Sequence, residues 1–238
     1  MPPQPEPVRS GFTGYWSGRV TAEGSNRERS GLAFIDSSGD AQILVLRDDE
    51  EPEFVLHGNL CCEPRAEQKL AAHRYLETRE HDAQIRAERS ANELTGALEL
   101  RRDEYRFALR PHAAYDDTLT LPMLAGVYTR NVTRGPGAPW TMTLTIDARG
   151  AINGSHSNGC VFNGAAALAN DGRNLVRLNL SLSNCGGRDS SRRWNGNYGG
   201  LGVLLQNSRS PSDDATLEDT LFFSLVGPTW FGPMSVGR

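Results

Sequence analysis

Gly14-Tyr15-Trp16-Ser17-Gly18 opens a pattern that the chain runs through twice. It returns as Gly126-Val127-Tyr128-Thr129, and Ile35-Asp36-Ser37-Ser38-Gly39 returns about 111 residues on as Ile146-Asp147-Ala148-Arg149-Gly150. Each copy starts on a glycine and an aromatic, alternates apolar and polar side chains, turns at Asp-x-x-Gly and closes on strands rich in Leu and Phe. Period-two alternation places one strand face in a core and the other in water. The repeat therefore predicts an all-β chain of two tandem antiparallel meander domains.

Outward from the repeat, alternation and turn chemistry mark about eight strands in each half. In the first they fall near 13–23, 30–37, 40–47, 53–61, 70–79, 82–89, 93–101 and 104–111. In the second they fall near 125–133, 140–148, 151–157, 160–169, 174–184, 194–206, 217–226 and 229–236. Ala83-Gln84-Ile85-Arg86-Ala87-Glu88 is the clearest, apolar and polar residues in strict alternation. The second half holds 17 of the 25 glycines, many within strands, where glycine marks the bulges and bends that a small closed barrel needs. Short turns between eight strands predict an up-and-down barrel or a strongly bent sandwich. The expected organisation is a Pro-rich tether over 1–10, a first β domain over 11–121 and a second over 122–238, with Pro111–Pro122 as the connection. One stretch departs from the pattern. Pro64-Arg65-Ala66-Glu67-Gln68-Lys69-Leu70-Ala71-Ala72 has a helical composition with proline in its first turn, so a short helix over 65–75 competes with a strand. The alternating counterpart Asn174–Leu182 favours the strand.

The formal charge of −4 divides unevenly: residues 1–121 carry 15 basic and 22 acidic groups, residues 122–238 carry 10 and 7. Neither half has a basic stripe with interleaved aromatics, so nucleic acid is not an expected partner. No run of about 18 apolar residues occurs, so no membrane-spanning helix is expected. Met1-Pro2-Pro3-Gln4-Pro5-Glu6-Pro7 reads as a stiff, solvated spacer between an anchor and a domain, with Met1 standing where a signal peptide or a lipid-bearing cysteine has been removed. Cys160 and Cys185 lie near the ends of two strands adjacent in a meander. A disulfide there closes a loop of about 25 residues, contributes roughly 3–4 kcal/mol and belongs in an oxidising compartment. The vicinal pair Cys61-Cys62 is free, buried or bridged elsewhere.

Several pieces over 115–205, in order, resemble a widespread group of bacterial exported proteins, often lipoproteins, that are uncharacterised. They are Tyr115-Asp116-Asp117-Thr118-Leu119-Thr120-Leu121-Pro122, Leu144-Thr145-Ile146-Asp147, Asn158-Gly159-Cys160-Val161-Phe162-Asn163-Gly164, Leu180-Ser181-Leu182-Ser183-Asn184-Cys185 and Tyr198-Gly199-Gly200-Leu201-Gly202. The resemblance implies exported β domains with a disulfide in the second half. It implies no reaction and carries over no catalytic residue.

Candidate chemistry is sparse. His57-x-x-x-Cys61-Cys62 places three soft-metal ligands within six residues, and zinc or copper would need a further ligand, which His73 or His81 could supply. Strand parity counts against it, since His57 and Cys61 share a face and Cys62 takes the other. Asp48-Asp49-Glu50-Glu51 lacks the spaced oxygens and glycine turn of a calcium loop and reads as a charged hairpin tip. Gly154-Ser155-His156-Ser157-Asn158-Gly159-Cys160 gathers hydroxyls, an imidazole and a thiol, but without the setting of a nucleophile elbow. Trp230 and Phe231, between Gly-Pro pairs, offer either a last strand or an aromatic anchor for a partner. Trp16, Trp140 and Trp194 read as core or barrel-mouth residues.

Together these readings predict a non-catalytic, envelope-associated binding or accessory protein, periplasmic or anchored to the outer membrane, with a cytoplasmic location as the second reading, and with no cofactor. Its expected partner is an envelope or periplasmic protein, met through Asp48, Asp49, Glu50 and Glu51 or through Trp230 and Phe231. An inhibitor or immunity-type protein against a basic enzyme is the natural sub-case. The second reading is a carrier of a small apolar ligand inside a barrel, to which the small residues Gly164-Ala165-Ala166-Ala167 lend room.

Overall fold

The computed structural model describes residues 11–25, 27–47, 52–60, 67–75, 77, 79–132, 139–170, 172–185, 194–209, 217–228 and 230–238, with 209, 217 and 230–232 described by backbone alone. They form two closed eight-stranded antiparallel barrels, in two compact units, Met1–His112 and Ala113–Arg238. The first barrel runs β1 Gly14–Ala22, β2 Glu28–Ile35, β3 Asp40–Leu46, β4 Pro52–Asn59, β5 Glu67–Arg74, β6 Glu80–Arg89, β7 Leu94–Leu100 and β8 Asp103–Pro111. The second runs β9 Gly126–Val132, β10 Trp140–Ile146, β11 Ala151–His156, β12 Val161–Leu168, β13 Val176–Ser183, β14 Gly196–Arg209, β15 Leu217–Val226 and β16 Trp230–Gly237.

Every connection joins sequence neighbours, so each barrel is a plain meander closed by its first and last strands. In the first barrel that seam is long, from Trp16↔Pro111 to Ala22↔Tyr105. In the second, β9 and β16 share, among the described residues, the single pair Gly237↔Thr129. The expected helix over 65–75 is not formed at 67–74. That stretch is β5, hydrogen-bonded to β6 from Glu67↔Arg86 to His73↔Glu80 and to β4 from Phe54↔Arg74 to His57↔Ala71. Leu70 and Ala72 are buried inside the barrel, so pairing on both sides and period-two burial override the local helical composition.

Side chains fill both interiors. Val20, Ile43, Phe54, Leu56, Ile85, Leu98, Phe107 and Leu109 meet in the first; Met142, Leu144, Phe162, Leu178, Leu180, Leu204, Phe223 and Leu225 meet in the second. Two inward positions of the second barrel require glycine: a Cβ on Gly164 or Gly200 would collide with the carbonyl oxygens of Asn179 and Ser224. The neighbouring strand thus comes closer than any side chain permits, which lets a small barrel curve. In the first barrel β2 to β4 are apolar on both faces, with Phe34, Leu44 and Val55 set outward by register, and Tyr15 stacks on Phe34 with centroids 4.9 Å apart.

One end of each barrel is sealed in the same way. Trp16 Nε1 donates to the carbonyl of Phe12 at 3.0 Å, and Tyr128 Oη donates to the carbonyl of Leu124 at 2.9 Å. An arginine covers each ring, Arg89 at 5.1 Å over Trp16 and Arg238 at 5.3 Å over Tyr128, a cation–π contact. In the second barrel this seal includes Leu119 and a short helix α1, Leu121–Leu124. The stretch read as a connection therefore belongs largely to the second unit: Tyr115 Oη accepts from Asn170, and Asn174 donates to the carbonyl of Ala114.

Candidate functional site

The Asp-x-x-Gly repeat turns out to be a turn device. Asp36 Oδ1 accepts the backbone N–H groups of Ser38 and Asp40, and Asp147 Oδ1 those of Arg149 and Ala151. Gly39 and Gly150 take positive φ of 88° and 86°, where a side chain would be strained. These carboxylates build hairpins and are engaged, which removes the clearest sequence motif from the list of reactive groups.

The opposite end of the second barrel differs. Strands β9, β11, β13 and β15 end there, and β10, β12, β14 and β16 begin there. Trp140 at the start of β10 stacks on His156 at the end of β11, centroids 5.1 Å apart, and Trp194 meets His156 edge-on at 6.4 Å. Arg130 lies 5.5 Å over Trp140 and donates to Ser235 at 3.4 Å. All four are half-buried. His156 Nδ1 accepts the backbone N–H of Asn158, and burial holds this imidazole below the ordinary histidine value. The Cys160–Cys185 disulfide ties the β11–β12 turn to the end of β13 beside this cluster, as the cysteine spacing predicts. Ser155 is exposed on the outer wall while His156 turns inward, so the two point to opposite faces and form no nucleophile–base pair. Trp230 and Phe231 open β16 at the same end, paired with Val226 and Leu225; they are placed here by backbone only.

His57 on β4 faces outward from the first barrel. Register brings it diagonally to His73 on β5, which pairs with Glu80 on β6. The two imidazoles stack with centroids 5.4 Å apart. Glu80 Oε2 lies 3.4 Å from His73 Nε2 and 3.5 Å from His57 Nε2. His73 is 2% exposed; its Nδ1 has no hydrogen-bond partner, and the two Nε2 atoms face Glu80 without hydrogen-bond geometry. A buried polar group left without a partner, as His73 Nδ1 is, typically costs about 1–3 kcal/mol. Burial holds both histidines below their ordinary values, with Glu80 acting against it. His81, the other imidazole considered as a ligand, turns away to Glu77 at 2.8 Å, which Arg101 also meets at 3.3 Å. Cys61 and Cys62 lie outside the described residues, as do Asp48, Asp49, Glu50 and Glu51.

The meeting of His57, His73 and Glu80 was only half legible. Three of the five histidines fall between 57 and 81, a concentration that signals a cluster, but only the β4–β5–β6 register says which two share a face. Comparison with protein-family models, curated protein sequences and solved structures finds no match to this chain.

Proposed function

We propose that this protein is a non-catalytic binding module of the bacterial envelope, and that its second barrel grips a protein partner at the disulfide-bearing end. The carrying observation is the half-buried Trp140–His156–Trp194 stack with Arg130 over it. Tryptophan and arginine are enriched in binding hot spots, and a tryptophan ring offers large contact area at little rotamer cost. The disulfide beside the stack reduces what must be ordered on binding and supports an oxidising, exported setting. Filled interiors in both barrels favour this reading over an internal apolar cargo. An inhibitor or immunity-type role against a basic enzyme is the more specific form of the proposal, resting on the acidic balance of the first half.

The test is position-specific photo-crosslinking in the native envelope, with the reactive amino acid at Trp194 or, as a control on the outer wall, at Thr145. A single protein adduct is expected from Trp194 alone. With that partner purified, Trp140→Ala and Trp194→Ala should each weaken binding by roughly thirtyfold, the scale of a hot-spot residue. Equal adducts from both positions, or a double variant that binds as tightly as wild type, would remove the proposal.

A further inference from the structure

We infer that His57, His73 and Glu80 form a zinc site on the outer wall of the first barrel, separate from the partner-binding end proposed for the second. The ligand set is two imidazole nitrogens and one carboxylate oxygen, a donor combination that suits Zn²⁺ and leaves a fourth tetrahedral position for water or an incoming side chain.

Geometry carries the case. Zinc–nitrogen and zinc–oxygen bonds near 2.1 Å in a tetrahedron set the ligand atoms about 3.4 Å apart. Two of the three edges here are already 3.4 and 3.5 Å, and all three donor atoms lie within 4.8 Å of one another. The third edge, His57–His73, is no longer than 4.8 Å, and the His57 side chain is about a quarter exposed. The barrel supplies the rigidity, because each ligand comes from a different one of three consecutive hydrogen-bonded strands.

The second observation is independent of the spacing. His73 is almost wholly enclosed, yet its Nδ1 has no hydrogen-bond partner, and its Nε2, like His57 Nε2, faces the Glu80 carboxylate without hydrogen-bond geometry. Buried imidazoles in folded proteins ordinarily find a partner. A cation between the two rings and Glu80 would satisfy a nitrogen on each ring and neutralise the carboxylate.

The experiment is titration of the tag-free, metal-stripped full chain with Zn²⁺, read by calorimetry and by thermal unfolding. One saturable site per chain is expected, with the unfolding midpoint of the first barrel rising by roughly 10 °C at a hundredfold excess over the dissociation constant. Glu80→Gln and His57→Asn should each weaken binding by at least about tenfold, the scale seen when metal-site groups are removed. Glu80 is more than half exposed, so its variant keeps the test valid if the histidine variant fails to fold. Cys61→Ser with Cys62→Ser should bind as wild type, and Co²⁺ in place of zinc should give tetrahedral d–d bands without thiolate charge transfer. Absence of saturation, full binding by Glu80→Gln, loss of binding in the double cysteine variant, or a thiolate band would each overturn the site. None of these outcomes bears on the partner-binding end, whose test uses other residues.

Discussion

The two barrels share one end and differ at the other. At the shared end, Trp16 and Tyr128 occupy equivalent places, each donating to the carbonyl four residues earlier and each covered by an arginine. At the other end the first barrel uses charge: Arg29 pairs with Glu53, Arg74 with Asp103, and Glu77 with His81 and Arg101. The second barrel uses rings and a covalent tie, Trp140, His156 and Trp194 beside Cys160–Cys185. The lesson is that the seal is part of the duplicated architecture, whereas the far end is where the copies have taken separate chemistry. The outer walls follow the same division. The first carries Glu67, Arg86, Glu99, Glu104 and Arg106; the second carries a row of uncharged groups, Asn153↔Asn163↔Ser181↔Asn197.

The strongest way to break this comparison is at the shared seal. Trp16→Ala removes a fully buried ring and its hydrogen bond and should destabilise the first barrel by about 3–5 kcal/mol, read from chemical denaturation. A loss below 1 kcal/mol would mean the seal is decorative. Next comes the disulfide. Cys160→Ser with Cys185→Ser should lower the stability of the second barrel by roughly 3–4 kcal/mol and leave the transition of the first in place by scanning calorimetry. If both transitions fell together, the far ends would not be separate features. Tyr128→Phe sharpens the equivalence with Trp16, since it removes one hydrogen bond and keeps the ring; the expected loss is about 1 kcal/mol.

The smallest expected effect is in acid. Burial lowers His112 in the first barrel and His156 in the second below the ordinary histidine value, so the unfolded chain binds more protons near and below that value. Their contribution to stability is therefore intact above about pH 6.5 and is lost as the pH falls below it. His112→Asn and His156→Asn should each flatten the decline of the urea midpoint between about pH 6.5 and 5. An unchanged slope would place the acid sensitivity elsewhere.

Much of the fold was legible before any coordinates, because a strand declares itself locally. All sixteen strands lie where alternation and turn residues put them, with ends differing by a few residues. The largest shift is β5, which begins at Glu67 and ends at Arg74, where a helical composition blurred the pattern. The disulfide was legible too, since two cysteines at the ends of neighbouring meander strands are close by topology alone. The candidate sites were not. Trp140, His156 and Trp194 come from three separate stretches, and their contact depends on which way each side chain faces after the barrel closes. Arg238 and Tyr128 meet across almost the whole second half of the chain.

By itself the sequence determined the strands, their order, the duplication and the Cys160–Cys185 pairing, because period-two burial, turn chemistry and nearest-neighbour connection act over short distances along the chain. Only the tertiary structure decided that each sheet closes into a barrel and that each interior fills with side chains. It alone brought His57 to His73 and Glu80 while leaving His81 to Glu77. The physical reason is register: a shift of one residue reverses every side chain on a strand, and register is set by pairing across the closed sheet, which no local stretch of sequence contains.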